Sequence, residues 1–215
     1  MSLGVMLKQL SEGLIVSVEI FSLTLLFSLP LGLIVAFGRM SKFKIIRFLI
    51  TFYISVMRGT PLMLQLIVVY FAPYYVFGRT INGFRFPAII IAFSINYAAY
   101  FAEIYRGGIE SMPRGQYEAA EVLGFNRFQT FFKIIFPQVI KRILPSVTNE
   151  TITLVKDTSL AFVLAEVEMF TMAKQIAAKD ASIMPLMVAG LFYFVFNAIV
   201  AFVMDRFEKK LSYYR

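Results

Sequence analysis

Residues 115–137 read GQYEAAEVLGFNRFQTFFKIIFP, the one long stretch of this chain that mixes charge, small residues and aromatics regularly. Pro113 and Gly115 precede it, and Pro137 closes it. Tyr117, Ala120, Val122 and Leu123 recur at roughly helical spacing, with Glu118 and Glu121 off that face. After Gly124 a second apolar stripe follows: Phe128, Phe131, Phe132, Ile135 and Phe136. The pattern predicts two short amphipathic helices about a glycine joint, the form of a loop that docks on another surface. On both sides of it the chain reads as membrane.

Composition supports that setting. The chain has 215 residues, 59% of them hydrophobic and 16% charged, with a mean hydropathy of +0.75. Apolar runs approaching the ~20 residues of a bilayer span recur along it. The first starts near Leu10 without a basic leader or an A-x-A cleavage site, and it reads as a retained span. Cys and His are both absent, which excludes disulfides, thiolate nucleophiles, Cys/His zinc sites and imidazole bases. No G-x-x-x-x-G-K-[ST] occurs, so no P-loop binds nucleotide here.

Taken in order, the runs predict spans at about 10–38, 45–77, 87–105, 143–162 and 186–204. Pro30, Gly32 and Glu19 sit in the first; Glu19 either packs against a neighbour or reaches toward the interface. The second is too long for one straight helix: at about 1.5 Å per residue it would reach roughly 50 Å against a core of roughly 30 Å. Arg58-Gly59-Thr60-Pro61 interrupts it. Pro61 lacks an N–H and turns Thr60 away from helix, so a break or kink is expected there. Arg58 is then either an interfacial residue at a helix end or a functional charge. The third span carries Ser94, Asn96, Tyr97 and Tyr100 and runs on to Glu103; such residues often glue helices together. The fourth, holding NETITLVKDTSL, is the least apolar. Its Glu150 and Asp157 are seven apart, near one helix face, so it must line a bundle interior, a watery path or a subunit interface.

The basic residues orient the spans. Fourteen fall in 39–47, in the central loop 106–142 and in the tail (Arg206, Lys209, Lys210 and Arg215), against five on the opposite side. By the positive-inside rule the N-terminus is outside, with the C-terminus and central loop in the cytoplasm. The expected fold is an all-α membrane protein of five transmembrane helices, one domain over 1–215, with short cytoplasmic coupling helices between spans three and four.

The loop's spacing then carries a resemblance. Glu118-Ala119-Ala120, Gly124, Ile134 and Pro137 match the EAA loop of membrane subunits of ABC importers, except that Phe136 stands where that signature has Leu. MRGTPLMLQL (57–66), NYAAYFAEIYRGGIESMPRGQYEAA (96–120) and VKDTSLAFVLAEVE (155–168) resemble the permease family for polar amino acids, the histidine/glutamine type. The resemblance implies a multi-pass subunit of the cytoplasmic membrane that pairs with a second permease, identical or homologous. It implies two ATP-binding subunits docked on the EAA loops, with ATP and Mg bound there, and an extracellular binding protein that delivers the amino acid. Glu118, Ala119, Ala120, Gly124, Ile134 and Pro137 would couple to the ATPase, and the chain itself would hydrolyse nothing.

For an amino acid in transit, Arg58, Thr60 and the freed backbone donors of the helix break suit the carboxylate, with Gln65, Asn96 and Tyr97 as further candidates. Glu150 and Asp157 suit an ammonium, and together they would favour arginine, lysine or histidine; both are equally readable as structural or gating elements. A stand-alone channel or ion-coupled carrier is the alternative class, against which the full EAA spacing argues. A membrane enzyme lacks any acid/base constellation in this sequence.

Overall fold

Helix α1 spans Leu3–Arg39, about 55 Å of rise, with Pro30 inside it. Its buried face is a seam of small residues: Gly13, Ser17, Thr24, Ser28 and Gly32. The seam lets a neighbouring backbone come close. A Cβ on Gly32 would stand 2.8 Å from the Cβ of Phe101, and one on Gly13 2.8 Å from the Cα of Met169. The neighbour along most of α1 is α4, Arg85–Glu110, the most buried helix of the structure. At their shared end Glu103 receives Arg106 at 2.7 Å and Arg39 at 3.7 Å, while Arg106 also reaches Glu110 at 2.6 Å.

The computed structural model describes residues 2–211, and every regular element among them is helical. The expected second span is two helices, α2 (Lys44–Gly59) and α3 (Leu62–Phe77), bent 114° apart. Thr60 between them is extended, with φ −123° and ψ 149°, as the residue before a proline should be.

The central loop follows its sequence closely at first. Helix α5, Arg114–Val122, ends in a Schellman motif: the Phe125 N–H donates to Ala120 O (3.0 Å) and the Gly124 N–H to Glu121 O (2.9 Å). Gly124 takes φ +79°, a conformation that favours glycine. Asn126 then opens α6, Arg127–Gln129, with a capping box to Gln129.

Beyond that the reading needs correction. Pro137 does not close the second helix. A π-helical stretch, Thr130–Ile135, leads straight into α7, Phe136–Asp157, with Pro137 in its first turn. The missing proline N–H is tolerated where the ladder changes register from π to α. Helix α7 therefore begins seven residues before the expected fourth span. It ends at Asp157, where a 3-10 stretch, Thr158–Leu164, takes over. Helices α8 (Met169–Asp180) and α9 (Met184–Leu211) complete the described chain; Arg215, counted in the tail, lies outside the described residues. Among the described residues three helices are long and apolar enough to cross a membrane, α1, α4 and α9, and the bent α2–α3 pair makes a fourth if it is one span.

Glu168 ties α8 to the rest. It is fully buried and caps α8, accepting the N–H groups of Phe170 and Thr171 (both 2.7 Å), the Thr171 hydroxyl (2.9 Å) and, from α9, the Tyr193 hydroxyl (3.0 Å). Burial holds its carboxyl above the usual carboxylate range, against the downward pull of these donors. Glu168→Ala would strand all of these donors. We expect it to cost about 2–4 kcal/mol, read as a lower thermal-unfolding midpoint of the purified protein. An unchanged midpoint would mean the cap contributes nothing.

Candidate functional site

The helix break, the middle of α4 and the last turns of α7 enclose a cavity of about 410 Å³, within the size range of small-molecule sites. Thr60, Pro61 and Leu62 come from the break, and Asn96, Tyr97 and Tyr100 from α4. Glu150, Thr153 and Asp157 come from one face of α7, and Leu160 from the 3-10 stretch. The seven-residue spacing of the two acids does bring both carboxylates to one cavity.

The two acids are held differently. The Tyr97 hydroxyl donates to Asp157 Oδ2 at 2.7 Å, so one oxygen of that carboxylate is tied to α4. Glu150 receives no hydrogen bond among the described residues and is half-buried. No cation lines the cavity. Lys156 is exposed and stands outside the lining. Arg58 also stays out, its guanidinium carbon 5.2 Å from the centre of the Tyr100 ring. From outside the lining both still act on the acids through their charge, Arg58 on Glu150 and Lys156 on Asp157. The lining itself remains acidic, and a cation is the occupant it suits.

The break adds donors. The Leu64 and Gln65 N–H groups both turn back to Pro61 O (3.0 and 3.3 Å). The first two N–H groups of α3, on Leu62 and Met63, have no backbone acceptor, as at any helix start. This end of α3 faces the cavity through Leu62 and carries the positive end of the helix dipole.

Of the seven residues singled out for substrate, five line the cavity: Thr60, Asn96, Tyr97, Glu150 and Asp157. Arg58 and Gln65 do not; Gln65 is buried behind the wall. Sequence reasoning missed Tyr100 and Thr153 as lining residues. The signal was available, since each lies three positions beyond a recognised residue, Tyr97 and Glu150, on the same helix face.

In the loop, Glu118, Ala119, Gly124 and Pro137 are exposed and Ile134 is half-buried. Ala120 is 1% exposed, turned into its own chain rather than outward. Gln116 of α5 and Gln138 of α7 exchange two side-chain hydrogen bonds (2.9 and 2.8 Å), and Arg142 donates to Ser111 O (2.6 Å). These contacts fasten the loop to the base of α7.

The profile of the family described as binding-protein-dependent transport system inner membrane component matches residues 28–213. The chain is 36% identical over 202 residues to the arginine transport system permease protein ArtQ of Bacillus subtilis, covering 94% of this chain and 91% of that protein. It is 35% identical over 207 residues to the L-cystine transport system permease protein TcyB of the same organism, covering 95% and 87%. Among solved structures it resembles an amino acid ABC transporter crystallised with histidines, with a TM-score of 0.85, 32% identity, and 98% and 99% of the two chains covered. The methionine transporter MetNI in an inward-facing form shares the fold at 17% identity, with a TM-score of 0.79.

The Tyr97–Asp157 bond is testable through stability alone. In a double-mutant cycle of Tyr97→Phe and Asp157→Asn the coupling energy should be about 1.5–3 kcal/mol, as for a hydrogen bond to a charged group. Strict additivity of the two unfolding changes would argue that the bond does not form.

Proposed function

Since the chain belongs to the family of inner membrane components of binding-protein-dependent transport systems, we propose that it is the permease subunit of an ATP-driven amino acid importer with a site for a basic amino acid. The observation that carries the substrate reading is the pair Glu150 and Asp157 on one cavity whose lining holds no cation. In this reading the substrate's cationic groups lie against the two carboxylates. Its own carboxylate meets the start of α3. Thr60, Asn96 and Tyr97, whose protons go to Val56 O, to Met57 O and Gln65 Oε1, and to Asp157, offer the occupant oxygens that suit its cationic groups. Permeases named for arginine, L-cystine and glutamine match at nearly equal identity, so the basic class rests on the two carboxylates.

The topology follows the charge count: five spans in one domain, N-terminus outside, with the 106–142 loop and the C-terminus in the cytoplasm of a multi-pass inner-membrane protein. Helix α2 and helix α3 together form the second span and α7 the fourth. Helix α7 exposes Arg142, Ser146, Asn149, Thr153 and Lys156 at alternating four- and three-residue steps. A stripe this polar does not face lipid. A second permease subunit, the same chain or a homologue, covers it and completes the path.

Glu118, Ala119 and Gly124 present the exposed side of the coupling loop to a separate ATP-binding subunit, which carries the ATP and Mg. Ala120, Ile134 and Pro137 support that loop from within and below. Burial of Ala120 on the inner face of α5, and the αL turn at Gly124, let the loop move as one piece with α7 when the ATPase closes. An extracellular binding protein supplies the substrate.

Uptake measured in proteoliposomes with the partner ATPase and binding protein tests this. Glu150→Gln is expected to abolish uptake of a basic amino acid while leaving assembly intact, and normal uptake by that variant would sink the site. Screening the twenty amino acids by thermal shift on the permease–ATPase complex should give a shift confined to arginine, lysine or histidine. No shift with any of them would move selectivity to the binding protein and make the carboxylates structural.

A further inference from the structure

The helix break at 58–61 is bent by 114°, yet it is not loose. A break of this kind strands the carbonyls of the last turn of α2, and in an apolar bundle each needs a donor. Side chains supply them. The Thr60 hydroxyl donates to Val56 O (2.8 Å). Met57 O receives two amides, Gln65 Nε2 from α3 and Asn96 Nδ2 from α4, both at 3.0 Å. Thr60 O lies 3.1 Å from Gln65 Nε2 and shares one of its two N–H groups with Thr60 Oγ1.

The same groups also bind one another in a fixed direction. Asn96 Nδ2 donates to Gln65 Oε1 (2.8 Å), Gln65 Nε2 donates to Thr60 Oγ1 (2.8 Å), and Thr60 passes its own proton to Val56 O. Turning the Gln65 amide over would set its oxygen against two carbonyls, so the network admits one orientation. Gln65 is 8% and Asn96 4% exposed. Both are interior, and the two N–H groups of Gln65 are engaged by the break. Three helices meet here: α2 through Met57, α3 through Gln65 and α4 through Asn96.

We infer that Gln65, held in place by Asn96, is a positioning residue: a clasp that holds α2 and α3 at one angle and so sets the cavity wall made by Thr60, Pro61 and Leu62. Gln65 is not one of the lining residues of the cavity and acts through Thr60, which is. This inference deepens the proposed amino acid site and rests on it for its effect on binding, but the clasp itself is a statement about the angle of the break.

The chain contains no cysteine, so two introduced cysteines take spin labels uniquely. Phe52 on α2 and Tyr75 on α3 are 63% and 79% exposed and suit replacement. Pulsed dipolar distances are measured in the assembled transporter, with labelled chains diluted among unlabelled ones to isolate the pair within one subunit. The parent pair should give one narrow distribution. Gln65→Met, which keeps the length and removes both donors, should broaden it. It should also weaken binding about tenfold for every amino acid that binds, leaving their ratios unchanged. If Gln65→Met does not fold, Thr60→Val removes only the central hydroxyl of the relay and should broaden the distribution in part.

A narrow, unshifted distribution in the variants would overturn the clasp. So would a change in the preference among amino acids with the distance unchanged, because that would make Gln65 a ligand. The distance needs no substrate. If the parent complex binds no amino acid, the site reading fails while the distance still decides the clasp.

Discussion

A polar group carried into an apolar bundle must find its partner within the chain, and α4 is where this protein keeps those partners. Along its length α4 offers the Ile95 carbonyl to the Tyr53 hydroxyl, the Asn96 amide to the break between α2 and α3, and the Tyr97 hydroxyl to Asp157. At its end Glu103 gathers Arg106 and Arg39. Between them these contacts tie α1, α2, α3 and α7 to α4. Remove α4 and the broken helix, the acidic cavity and the end of α1 all lose their donors or acceptors at once. Its own burial depends in turn on the small-residue seam of α1, since only a side chain as slight as Gly32 admits Phe101 at that distance.

The same constraint explains why the cavity is both polar and stable. Four of its walls come from places where helical structure is interrupted or ends: Thr60 and Pro61 at the break, Leu62 at the start of α3, and Asp157 at the end of α7. Interrupted backbone leaves unpaired groups, which cost several kcal/mol each in hydrocarbon unless satisfied. Some are met by side chains behind the wall. Others, the Leu62 N–H at the start of α3 among them, have no backbone acceptor among the described residues, and Leu62 itself lines the cavity. Irregular backbone at this depth is tolerated because it lines a hollow instead of facing lipid.

Much of this was legible in local sequence. Pro61 after Thr60 announces the break, and Gly124 between two apolar stripes announces the joint, because each acts through its own backbone. The seven-residue spacing of Glu150 and Asp157 correctly predicts a shared face. The role of Gln65 was not legible. A glutamine one turn past a helix break reads equally as ligand or as support, and only the approach of Asn96 from α4 distinguishes them. Pro137 misled for a similar reason: a proline normally stops a helix, but the π-helical stretch before it shifts the hydrogen-bond register and lets α7 run on. Glu168 lies in VKDTSLAFVLAEVE without any local sign that it would be buried and accept four hydrogen bonds.

By itself, the sequence determined the membrane class, the family, the helix break, the glycine joint and the shared face of the two acids. These follow from composition, from fixed spacing and from residues whose effect on the backbone is local. Tertiary structure alone decided which polar side chains look into the cavity and which stand behind it. It also decided the 114° bend between α2 and α3, the inward turn of Ala120, and the capping of α8 by Glu168. Those outcomes depend on donors and acceptors that meet across dozens of residues of chain, and no local pattern encodes which of them will be close.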